Sequence, residues 1–285
     1  MVREFELVNE KGQKFSLMDI HNYCLLTEPT GLGYSYTTEY QQLGYSFIES
    51  LRKLEKGQLE GTVNFESYDN FYKLVEFIES SESLRFLYKI PYKDGRVVQY
   101  YKNVNLQYLS KSEIKTNGIL SETIIFDCLT LWYEENTFIY KIEPQNNEIR
   151  WDFRWDSRFS DYNTRSVPYI NKGHTEAVVK IEMDGYLENP KIELYVEGQL
   201  YQTIPFHTTI GKYEKLLYDS RENRFAIEKQ NTDGTKSSLF NLDVIEFEND
   251  NVLRLPKNRS CEIRLTADNE VLNAEVSIYS QYKAV

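Results

Sequence analysis

The segment that most constrains the fold runs from Leu59 to Ile90, LEGTVNFESYDNFYKLVEFIESSESLRFLYKI. Phe71, Leu74, Val75 and Ile78 recur at i, i+3, i+4 and i+7, one face of a helical period. Tyr68 and Phe77 widen that stripe, Ser67 is placed to cap its start, and acidic Asp69 lies in the first turn, where the helix dipole favours it. The spacing predicts a helix over 67–80, ended by the run Ser80-Ser81-Glu82-Ser83. On either side the period falls to two: Leu59, Gly61, Val63 and Phe65 before it, Leu84, Phe86 and Tyr88 after it. A helix of roughly three turns with one wide apolar face buries that face against a sheet. Strand, helix, strand therefore defines a mainly β domain with a single helical lid.

The rest of the first half reads as strands and turns. Phe5, Leu7, Phe15 and Leu17 flank Glu10-Lys11-Gly12 as a hairpin. Residues 21–36, with Pro29, Gly31 and Gly33, look like a loop. From Thr38 to Leu59, aromatic and aliphatic residues mix with Gln, Glu and Lys without clear period, which suggests an arm or hairpin that packs on another subunit. Asp94-Gly95 and Asn117-Gly118 mark turns. Val97–Leu109 alternates, with Val104, Leu106 and Tyr108 on one face, and Leu120–Tyr133 reads as one long strand.

A polar stretch at 141–148 reads as a connector. In IRWDFRWD, which follows, Ile149, Trp151, Phe153 and Trp155 share one face, and Arg150, Asp152, Arg154 and Asp156 the other. Beyond residue 160, short strands alternate with turns: Ala177–Met183, Lys191–Val196, Leu200–Phe206, Phe225–Glu228, Val244–Glu248, Val252–Leu255, Glu262–Leu265 and Glu275–Tyr279. That rhythm indicates a sandwich or jelly-roll.

Bulk properties remove several function classes. The net charge of −11, with 44 Asp and Glu against 33 Lys and Arg, lacks the basic footprint that binding to a nucleic-acid backbone needs. Cys24, Cys128 and Cys261 are far apart and form no C-x-x-C, so neither a zinc site nor a disulfide framework is implied. The start has no apolar core of a signal peptide and no apolar run is long enough to span a bilayer, which points to synthesis in the cytosol.

Catalytic patterns are equally thin. His21, His174 and His207 are dispersed, and His174-Thr175-Glu176 supplies two metal ligands without a third. Asp152 and Asp156 are flanked by Arg150 and Arg154, which hold both carboxylates ionised, whereas a general acid needs a raised pKa. Glu193 and Glu197 fit a wet strand face. No catalytic, cofactor-binding or metal residue is assigned, and the chain is not expected to be an enzyme.

Read in order, LVNEKGQKFSL, SYDNFYKLVEFI with LRFLY, YYKNVNLQYLSKSE, LTLWYEE and PYINKGHTEAVVKIEMDGYLENPKIEL resemble the distal tail proteins of long-tailed, non-contractile phages. The last stretch follows the family's run of Asn-x-Gly, strand, Gly, then Asn-Pro, here Asn171, Gly173, Gly185, Asn189 and Pro190. The resemblance implies an N-terminal β-barrel-like domain with one helix over 1–138 and a C-terminal galectin-like β-sandwich over 139–285. It implies a virion protein of the tail tip, with no cofactor and no membrane contact. Six copies would form a ring around the DNA channel, touching the tail tube protein, the tape measure protein and the tail-associated fibre or lysin protein. Segment 207–240 is the least typical of the family. The competing class is a carbohydrate-binding or adhesion module, with Trp151 and Trp155 as its sugar platform.

Overall fold

A computed structural model describes residues 3–19, 24–140, 164–222, 224–241, 244–245, 250–268 and 273–285. The connector at 141–148, the stripe Ile149–Asp156 and His21 lie outside the described residues. The chain divides into two compact units, Met1–Glu134 with Tyr282–Val285, and Glu135–Gln281.

The first unit holds β1 (Glu4–Asn9), β2 (Lys14–Ser16), β3 (Met18–Asp19), β4 (Cys24–Thr30), β5 (Tyr36–Leu43), β6 (Ser46–Leu54) and β7 (Gln58–Phe65). After these come α1 (Tyr68–Glu79), β8 (Leu84–Pro91), β9 (Val97–Leu109), β10 (Leu120–Cys128) and the start of β11 (Trp132–Tyr140). The antiparallel order is β2-β1-β8-β9-β10-β7-β4-β3. Its two end strands are consecutive in the chain, and Leu17 between them donates its N–H to the Phe5 carbonyl (2.8 Å) and accepts from the Leu26 N–H (2.7 Å). The sheet is thus drawn round on itself by single bonds at one residue. It is barrel-like in curvature, and no closed barrel forms among the described residues.

Helix α1 starts where Ser67 Oγ accepts from the Asn70 N–H, and it buries Phe71, Leu74 and Ile78 in the core of this unit. Phe65 meets Phe71 edge-on at 5.6 Å, and Phe15 meets Phe77 at 5.5 Å. Trp132, fully buried, lies 6.2 Å from the Phe86 ring and 6.1 Å from Tyr88.

Three expectations change here. Cys24–Thr30 is a strand, because Cys24 and Leu26 face the core and pair with Phe65 and Val63. The long strand at Leu120–Tyr133 is two, separated at residues 129–131. Tyr108 leaves the face of Val104 and Leu106, because the register slips where Ile125 pairs Tyr108 but Phe126 pairs Leu106. One extra residue reverses the side of every later one, and Tyr108 ends half exposed. The weakly patterned segment after Thr38 forms the expected hairpin, β5–β6, with one bulge.

The second unit contains β12 (Thr164–Ile170), β13 (Ala177–Asp184), β14 (Leu187–Glu188), β15 (Lys191–Val196), β16 (Gln199–Pro205) and β17 (Thr209–Ile210). β18 (Lys215–Asp219), β19 (Ala226–Gln230), β20 (Lys236–Ser238), β21 (Arg254–Leu255), β22 (Ser260–Thr266) and β23 (Asn273–Tyr282) complete it. One sheet runs β20-β19-β18-β13-β23 with β21 also on β13, and a second runs β12-β22-β15-β16. Val179, Ile181 and Met183 from the first sheet and Ile192, Leu194, Ile263 and Leu265 from the second share one core. This is a two-layer antiparallel arrangement with alternating inward residues. Strand β18 carries no sequence expectation, since its buried Leu216, Leu217 and Tyr218 form a short continuous apolar run. Val244 and Ile245, expected in a strand, are a buried turn.

Candidate assembly surface

Among the described residues, strands β5 and β6 pair only with each other. Tyr36 pairs Leu54 at the root and Leu43 pairs Ser46 at the tip, with Gly44-Tyr45 as the turn and a bulge beside Tyr40. Cross-strand partners share a face, so Tyr40 and Phe47 lie on one side and Leu43, Ile48 and Leu51 on the other. Tyr45 is fully exposed, and Leu43 and Phe47 are each 70% exposed. Both faces of the ribbon therefore present apolar side chains to solvent. An isolated two-stranded ribbon is marginal in water, and a contiguous apolar surface of this kind marks an interaction site.

The root of this arm is fixed as firmly as its tip is bare. Glu55 accepts from Ser35 Oγ (2.6 Å) and Thr37 Oγ1 (2.5 Å), and its N–H donates to the Ser35 carbonyl (3.1 Å). The Ser35 and Thr37 hydroxyls hold the Glu55 carboxyl below its usual range. Trp132 Nε1 donates to the Leu32 carbonyl (3.1 Å), tying the approach to β5 onto the core. Gly31 turns there with φ of 80°, and a Cβ on it would stand 1.7 Å from the Gln58 carbonyl oxygen. Only glycine allows that crossing.

The motif Asn171-x-Gly173 is structural. Fully buried Asn171 donates through Nδ2 to the carbonyls of Thr175 (2.9 Å) and Leu255 (3.0 Å). Its Oδ1 accepts from the Gly173 N–H (2.9 Å) and from Ser280 Oγ (3.1 Å). A Cβ on Gly173 would sit 2.6 Å from the Gln281 carbonyl oxygen. One amide thus closes the loop between β12 and β13, and the glycine lets β23 pass against it. Asn189 adopts a left-handed φ of 45° and donates to Asp268 (2.9 Å).

Among the described residues, the candidate ligands and paired carboxylates do not converge. Glu176 pairs with Arg254 at 3.7 Å, and no group of three metal-ligating side chains occurs among the described residues. Glu193 accepts from Tyr195, while Glu197 occupies a turn with φ of 53° and does not continue the strand face. Asp152 and Asp156 lie outside the described residues. All three cysteines are buried, and burial pushes the Cys24 thiol up to about 12. Two buried charges carry no motif. Lys102 points inward against the Trp132 ring (4.8 Å), and burial lowers its pKa. Burial raises the Glu122 carboxyl, but hydrogen bonds from Ser110 Oγ (2.6 Å), the Ser112 N–H (2.6 Å) and Ser112 Oγ (2.7 Å) outweigh it and hold the group below its usual range.

Residues 4–129 match the family model described as the distal tail protein N-terminal domain. Residues 4–129 thus carry a distal tail protein N-terminal domain. The distal tail protein of Lactococcus phage SK1 is 29% identical over 150 residues, half of each chain, so this chain spans about half the length of that relative in the match. A chain of the phage P2 baseplate in its activated conformation with calcium superposes over 100% of both chains, with a TM-score of 0.66 and 18% identity. The Dit protein of phage SPP1, described as a paradigm of the hub adsorption apparatus in phages that infect Gram-positive bacteria, covers 97% of this chain and 98% of its own, at TM-score 0.56 and 13% identity. These two likenesses show a shared β-rich fold along the whole chain.

Proposed function

We propose that this chain is a structural ring protein of a phage or prophage tail tip, working by shape and self-association. Six copies close the ring, each laying its β5–β6 arm on a neighbouring copy. The observation that carries this reading is the arm itself, anchored at its root and uncovered on both apolar faces. The ring joins the tail tube, with the tape measure protein within it, to the tail-associated fibre or lysin protein below. The second unit serves as a galectin-like outer domain. The −11 net charge suits a wall past which DNA slides, because like charge prevents sticking.

The test is assembly into particles. A tag in the exposed Asp233-Gly234 turn, visualised by electron microscopy on purified tails, is expected at the distal end alone. The triple variant Leu43→Ser, Phe47→Ser, Ile48→Ser should fold with an unchanged melting temperature and fail to enter tails. Normal incorporation of that variant, or tag spread along the tube, would refute the proposal.

A further inference from the structure

The arm's root is held by a residue from the opposite end of the sequence. Residues 282–285 return to the first unit. There the Tyr282 ring meets Tyr100 edge-on at 5.2 Å, its hydroxyl donates to Glu134 (3.1 Å), and Val285 packs on the core. Between them, Lys283 Nζ donates to the Tyr36 hydroxyl at 2.6 Å and stands 5.3 Å from the centre of that ring. Tyr36 is the first residue of β5. Its ring also carries the Arg52 guanidinium of β6 at 4.1 Å and the edge of Tyr34 at 5.5 Å. Two cations and a second ring thus converge on one tyrosine where the arm leaves the sheet, and Glu55 closes the same root from the neighbouring positions 35 and 37.

We infer that Lys283 is a positioning residue that locks the arm root, so that the direction in which the arm is presented depends on the C-terminal segment. The physical reason is leverage. A ribbon of two strands has no core of its own, and its angle is set only where it is attached. The charge-assisted hydrogen bond of Lys283 to the hydroxyl, with the Arg52 guanidinium over the ring, resists both tilt and twist there. The order of the sequence adds a consequence. Lys283 reaches Tyr36 only after the chain has passed through the whole second unit, so the arm is set last. A chain whose second unit has not folded presents a loose arm. The link from lock to ring closure rests on the assembly role proposed above; the lock itself does not.

Hydrogen exchange of the full-length chain tests it. In Lys283→Ala, amides of Tyr36–Thr38 and Arg52–Glu55 are expected to exchange about tenfold faster. Those of β7 and β8, in the core of the same unit, should keep the wild-type rate. Tyr36→Phe, which keeps the ring and loses the hydroxyl, should fall between, and Lys283→Arg should restore most of the protection. An unchanged root in Lys283→Ala, or acceleration spread evenly through β7 and β8, would sink the lock. Entry into tails is scored in parallel. If Lys283→Ala loosens the root yet enters tails as wild type does, the coupling to assembly is wrong. If the arm-tip triple variant also enters tails normally, the ring reading fails, and the exchange data still decide the lock.

Discussion

Glu122 shows how one residue can hold a segment that has no strand or helix period of its own. Its carboxylate is almost wholly buried and gathers Ser110 and Ser112, whose neighbour Ile114 donates its N–H to the Tyr68 hydroxyl (3.2 Å) at the start of α1. Its pKa in the folded state is below the ordinary 4.5. A depressed carboxylate gives stability that is complete above the unfolded value and is lost as pH falls through the folded one. We therefore expect wild-type stability to decline on acidification below about pH 4.5. Glu122→Gln should be less stable near neutrality and show a shallower acid decline, measured by urea unfolding across that range. An identical acid slope in the variant would count against this role. Asn171 works in the same way without a charge: its amide makes four hydrogen bonds that hold the loop between β12 and β13.

At the level of elements, α1 and the arm are opposites. The helix was plain in the sequence because its apolar spacing, cap and terminator agree, and Tyr68–Glu79 is where it forms. Leu74, fully buried beneath it, is expected to cost about 3 kcal/mol of stability when replaced by alanine, read as a lower urea midpoint. Ser67→Ala should cost about 1 kcal/mol by the same measurement. A loss under 1 kcal/mol at Leu74 would mean that the lid packs loosely. The arm had no readable period because neither face is buried in its own chain, so nothing selects alternation. Its only regular signal, pairing of β5 with β6, is backbone hydrogen bonding that side-chain chemistry does not encode. Tyr108 leaves the face that strict alternation predicts for a related reason: a bulge is a local shift of register, invisible to a strict period of two.

The whole molecule is threaded so that its first unit is incomplete until its last residues arrive. Deleting Tyr282–Val285 removes the Tyr282 ring contact, the hydrogen bonds from Tyr282 to Glu134 and from Lys283 to Tyr36, and a half-buried valine, together about 3 kcal/mol. The expected outcome is faster hydrogen exchange at Val63 and Phe86 in the first unit, with Ile181 and Ile263 in the second unchanged. Equal acceleration in both units would contradict that division. By itself the sequence determined the β class, the helix α1 and the order of most strands among the described residues, since each depends on local period, turn chemistry or residue type. Tertiary structure decided the bare arm, the inward Lys102, the clamp at Glu122 and the return of Lys283 to Tyr36. Those depend on which distant segments meet, and contacts separated by up to the length of the chain leave no period to read.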